Sequence, residues 1–290
     1  MKAIALSFLI AGLTSPASPL WAQTDVQTPQ ATAATAPDPA REVLDLVYLL
    51  RTNNLVGLVQ AAVPPRAYDE LRLGYESHRN ETISDSDRAE FAEKLGKLTA
   101  PDAVDRLMTE IEPKLVEARP KAPGAIMMGL GAAQMALLSD DAELTTEQRE
   151  TLQRALPGFQ EWVTSTDFLS STAMRQALTL VTDAVRRTGI RDVEQLQVMS
   201  FEQALAQAES VLAASKQALL IYGLDLDAIA DSMRVEVLEN DGKTARVRTT
   251  VTVFNAPVFV DQDLVLVDGH WYGKHAAKRW ASRLARHQRG

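Results

Sequence analysis

The chain contains no cysteine. That absence excludes thiol catalysis, cysteine-ligated zinc, a lipid-bearing cysteine and any disulfide, so stability rests on the apolar core. Histidine is scarce as well. The four present, His78, His270, His275 and His287, form no H-E-x-x-H or other zinc-like spacing. A basic excess is missing: 30 Lys and Arg stand against 38 Asp and Glu, a formal charge of −8. Such a chain is a poor non-specific ligand for nucleic acid. The G-x-S-x-G, P-loop and G-x-G-x-x-G patterns do not occur, and Gly129-Leu-Gly131 follows no predicted strand. Nothing in the pattern calls for a metal or a cofactor. Long apolar runs are lacking too. The two most apolar stretches, 3–13 and 124–138, hold eleven and fifteen residues, short of the about 20 that a bilayer span requires.

What is present begins with an address. Met1-Lys2 supplies a short positive region, Ala3–Leu13 an uncharged apolar run, and Pro16, Pro19 and Ala22 the approach to a cleavage site. This layout predicts a secretory signal peptide over 1–22, cut after Ala22 or, alternatively, after Ala17. It places the protein in the periplasm or outside the cell, with no transmembrane anchor once the signal is gone. Residues 23–37 (QTDVQTPQATAATAP) are low-complexity and predict a disordered linker. About 250 residues remain, enough for one large domain or two small ones. With 46% hydrophobic residues the remainder is globular.

From Asp38-Pro39 the apolar positions recur at helical spacing. Val43, Leu44, Val47 and Leu50 form one stripe, and Leu55–Val63 a second run that stops at Pro64-Pro65. Further helices are expected at Ser84–Leu98, from Thr99-Ala-Pro-Asp102 up to or through Pro113, at Thr145–Leu156 with a Thr-x-x-Gln capping box, and at Asp167–Thr188 before Gly189. Residues 124–138 predict a buried helix whose small residues Ala125, Gly129 and Ala133 allow close packing, with a membrane-active segment as the alternative. Ser200-x-x-Gln203 opens the longest helix, ending at Gly223, and a turn at Leu226–Ala230 follows. The region 38–189 is thus helical, and 190–275 is a helix plus sheet.

After Met233 the period changes to two. Ala245, Val247, Thr249, Val251 and Val253 point one way, while Arg246, Arg248, Thr250 and Thr252 point the other. Asp241-Gly242 and Asp268-Gly269 are hairpin signals. Together with Asn255-Ala-Pro257 they predict a four-stranded antiparallel meander packed on a long helix, for which Phe201–Tyr222 is the natural cover. The fold class is α+β: a mostly helical N-terminal part followed by that sheet. The tail, 276–290, continues a run with Lys274, Lys278, Arg279, Arg283, Arg286 and Arg289 and no acid. It predicts a short basic helix that lies on the acidic body or makes weak contact with an anionic surface or acidic partner.

MRVEVLENDGKTARVRTTVTVF (233–254) and LVLVDGHWYGK (264–274) resemble the sheet end of nuclear-transport-factor-2-like cone folds, in which helices precede a curved antiparallel sheet. The likeness covers about residues 200–275. FAEKLGKLTAPDAVDRLMTEIEPKL (91–115) is similar to a segment of uncharacterised exported proteins of Gram-negative bacteria, which implies a compartment and no chemistry.

Candidate site residues are few. Asp261 and Asp263 share a strand face with Val265 and Val267, a face that starts polar and turns apolar. Trp271 and Tyr272 lie on the neighbouring strand, one on each face. These four mark the mouth of a concave sheet if a ligand pocket exists; a packed core with a wet rim produces the same alternation. Asp225, Asp227 and Asp231 lack the glycine and distal glutamate of a calcium loop. The sequence therefore points to an exported, non-enzymatic protein that binds a protein or small-molecule partner. A motif-less enzyme site in the sheet, or an envelope-associated structural role, are the alternatives.

Overall fold

The computed structural model describes residues 37–139 and 145–287, with side chains as far as residue 281. The expected signal segment, the linker before Pro37, the pair Asp140-Asp141 and the last three residues lie outside that range.

Side-chain caps set the helix starts. At α1 (Pro39–Arg51) the Asp38 carboxylate accepts the Ala40 N–H at 3.0 Å, and Pro39 fills the first turn. α2 (Leu55–Ala62) is capped by Asn54 and stops before the proline pair. α3 (Pro65–Arg79) starts within that pair. Proline at the first helical position starts a helix as readily as it ends one, and His78 falls in the last turn. α4 (Asp85–Thr99) is capped by Ser84, and α5 (Ala103–Ala118) passes through Pro113. Thr99 closes α4 instead of opening α5, because its hydroxyl donates back to the Leu95 carbonyl at 2.9 Å.

α6 (Ala122–Leu138) follows a tight turn, and α7 (Thr146–Ser165) begins at the expected capping box but runs on through Pro157. α8 (Ser171–Arg187) takes Ser170 as its cap, while Asp167 closes a separate turn on the Leu169 N–H at 3.1 Å. α9 (Val193–Val198) is short, is capped by Asp192 and was not foreseen. α10 (Phe201–Ile221) carries the second capping box, and α11 (Leu226–Asp231) leads into the sheet.

The sheet is the expected meander, β1 (Arg234–Asn240), β2 (Thr244–Val253), β3 (Ala256–Val267) and β4 (His270–Gly273), in sequence order and antiparallel throughout. Left-handed backbone at Phe254-Asn255 and Asp268-Gly269 makes the two tight hairpin turns. The register pairs Val247 with Gln262, Ala245 with Leu264, and Leu266 with Trp271. One face therefore carries Ala245, Val247, Leu264 and Trp271, which form a buried cluster against Val43 of α1.

The cover of the sheet differs from expectation. The sheet does pack on a long helix, but that helix is α7, against β3, while α1 lies against β1, β2 and β4. α10 instead packs on α8 and α2. Its Lys216, only 7% exposed, shows why. The ammonium donates to the carbonyls of Leu50 and Arg51 and to Asn53 Oδ1 at 3.2, 2.9 and 3.0 Å, and lies against the Asp227 carboxylate. A buried charge with this many partners fixes α10 to the end of α1. Just past the C-terminal end of α10, Trp162 donates to the Tyr222 carbonyl at 2.7 Å and packs between Phe168 and Phe254. Gly158 lets the β2–β3 turn approach α7, since a Cβ there would stand 2.0 Å from the Phe254 carbonyl oxygen.

The expectation that 124–138 is buried is overturned. The stretch is helical, but no residue of α6 is buried, and its main neighbour is α7 alone. Composition reports the wish of a segment for cover, and here the chain supplies cover on one side only. The basic tail is helical as expected, α12 (Lys274–His287), and packs on β3 and β4.

Candidate functional site

Two concavities border the sheet. The larger, about 570 Å³, is an open groove at the β1–β2 hairpin end, lined by Glu239, Asp241, Arg246, Asp263 and Lys274. Within it Lys274 Nζ stands 3.8 Å from Asp263, while Arg246 stands 3.8 Å from Asp261 outside the groove. The smaller, about 240 Å³, lies between the apolar sheet face and the helices α1 and α2. Val43, Leu46 and Val47 of α1 and Ala61 and Ala62 of α2 form one wall; Leu264, Trp271 and Thr249 belong to the other. No acidic or basic residue lines it.

The four candidate residues do not converge on one cavity. Asp263 borders the groove, whereas Trp271 and Tyr272 border the cleft. Trp271 is 4% exposed and acts first as an anchor for α1. Its backbone N–H donates to the Glu42 carboxylate, its indole N–H donates to the Pro37 carbonyl at 2.6 Å, and His270 Nδ1 stands 2.8 Å from Glu42. Tyr272, on the other face as expected, is 5% exposed, and its burial pushes the phenol pKa up.

Asp261 lies in neither cavity. It accepts two hydrogen bonds from Arg248, at 2.7 and 3.0 Å, and the same guanidinium makes two more to Glu147 of α7, at 2.7 and 3.0 Å. The guanidinium also stands over the Phe259 ring, 4.1 Å from its centroid. Hydrogen bonding from Arg248 holds the Asp261 carboxyl below its usual range, and both carboxylates hold Arg248 protonated. A carboxylate kept ionised in this way is a poor proton donor near neutral pH. Its work is to tie α7 to the sheet.

The residue that sequence reasoning missed is Thr249. It sits on the apolar face opposite Val235 and Val260, and its hydroxyl oxygen is buried with no hydrogen-bond partner. A threonine amid valines reads as an ordinary strand residue, so the only available signal was a lone hydroxyl on a face otherwise expected to be dry. Among the described residues no cluster of His, Asp or Glu is arranged to hold a metal ion. Asp225 caps α11, and Asp231 pairs with Arg51 at 2.7 Å.

Fold and site together define an α+β chain with a small uncharged cleft under a four-stranded meander. Comparison with protein families, with curated proteins and with solved structures finds no match.

Proposed function

We propose that this is an exported, non-enzymatic binding protein whose cleft takes a small uncharged molecule with an apolar body and one hydrogen-bonding group. The observation that carries the reading is the Thr249 hydroxyl, buried and unpartnered on the wall of an uncharged, mostly apolar cleft that Gln262 and Tyr272 also border. An unmet buried polar group costs about 1–3 kcal/mol, and a ligand hydroxyl or amide would recover part of that. The volume, about 240 Å³, falls just below the about 300–1,000 Å³ of drug-sized pockets, which suits a short chain or a single ring. The signal-like pattern of residues 1–22 supports export, and the likeness of residues 200–275 to cone folds supports a sheet that shelters a ligand.

Titration with 1-octanol, read by tryptophan fluorescence, tests this. Saturable binding is expected, weakened about two- to tenfold by Thr249→Val through the lost hydrogen bond and abolished by Val47→Phe, which fills the cleft. Absence of saturation, or binding indifferent to Val47→Phe, would defeat the proposal.

A further inference from the structure

We infer that α6 is a self-association surface through which two copies of this chain pair. From Ala122 to Leu138 it has no charged residue. Met127, Met128, Met135 and Leu138 are 64, 76, 75 and 69% exposed. A helix that is apolar on every side is normally enclosed on every side, yet this one is backed mainly by α7. Adjacent exposed apolar groups of this kind mark a contact surface, and methionine suits one because its flexible thioether adapts to a facing surface. The small residues are open as well: a Cβ at Gly124, Gly129 or Gly131 would meet nothing within 4 Å. The backbone is thus accessible to a second helix on a side that α7 does not use.

Charge selects the occupant. The chain carries −8 overall, so most of its surface repels a second copy. α6 adds nothing to that charge, and two copies meeting there bring neutral, identical faces together about a twofold axis. A lipid surface fits less well. Helices that lie in the membrane interface carry Lys or Arg on one side and Trp or Phe on the other, and α6 has none of these. No described helix is long and apolar enough to cross a membrane. A helix of 17 residues is about 25 Å long and about 10 Å across. Two laid together with their flanks bury roughly 1,000 Å², the lower limit for a specific pair.

Sedimentation equilibrium of the purified protein tests this, alongside Met128→Glu/Met135→Glu. Both positions are exposed and glutamate is a good helix former, so circular dichroism should show the fold retained. The protein is expected to dimerise at micromolar concentration, and the double variant to weaken the dimer at least tenfold. Three outcomes would overturn the inference: a protein that stays monomeric, a dimer untouched by the two glutamates, or a monomer that instead floats with phosphatidylcholine vesicles.

Discussion

The two apolar surfaces of this chain meet different fates, and polar anchors make the difference. The sheet face around Val247 is closed by α1, and that closure is pinned from both sides of the helix. Glu42 receives the Trp271 N–H, Trp271 reaches the Pro37 carbonyl, and Lys216 gathers the carbonyls at the far end of α1. α6 is at least as apolar, but among the described residues the side-chain hydrogen bond that reaches its backbone from another helix is that of Arg149. Arg149 of α7 donates to the Leu137 carbonyl and, at 2.9 Å, to that of Ser139 just beyond its end. Apolar surface creates the demand for cover; directional bonds decide which element supplies it and how firmly. Where they are missing, the demand passes to another molecule.

The contrast can be broken most forcefully at Trp271. Trp271→Ala removes a side chain that is 4% exposed and, with the indole N–H, the bond to the Pro37 carbonyl, while the backbone N–H to Glu42 remains. It should cost about 3–5 kcal/mol, seen as a lower urea midpoint, and should also abolish octanol binding. A loss below about 1 kcal/mol would show that α1 is held by other means.

A smaller effect is expected where α7 meets the opposite face. Arg248 holds the folded-state pKa of Asp261 below its unfolded value of about 3.9. The pair therefore stabilises the fold fully above about pH 5 and loses that contribution as pH falls through the folded value. Asp261→Asn should cost about 1–2 kcal/mol at pH 7 from the lost charged hydrogen bonds, and the gap to the unaltered protein should narrow by pH 3. A gap that stays constant over that range would remove Asp261 from the tie. The smallest effect belongs to α6: Met127→Ala, at a position 64% exposed, should shift monomer stability by less than about 0.5 kcal/mol.

Much of the fold was legible because its signals are local. The capping boxes at Thr145 and Ser200, Gly189 and Gly223 past helix ends, and the Asp-Gly turns each determine the backbone around them. The meander followed from the alternation in 245–253. What escaped was tertiary. Nothing in residues 39–51 says that their apolar stripe meets β1 rather than another helix, and the buried Lys216 resembles any surface lysine in sequence. Trp271 and Tyr272 border a cavity on the sheet, and Thr249 was overlooked because its oddity exists only once its neighbours are in place. Asp261 and Asp263 looked like a pair by spacing, but Arg248 claims one and the open groove the other.

Amide hydrogen exchange followed by mass spectrometry, run at dilute and at high protein concentration, addresses the difference between the two surfaces most directly. Protection across 39–51 should be the same at both, because the cover of the sheet is internal, while protection across 122–138 should rise with concentration. Equal protection of 122–138 in dilute solution, or a concentration dependence in 39–51, would contradict it.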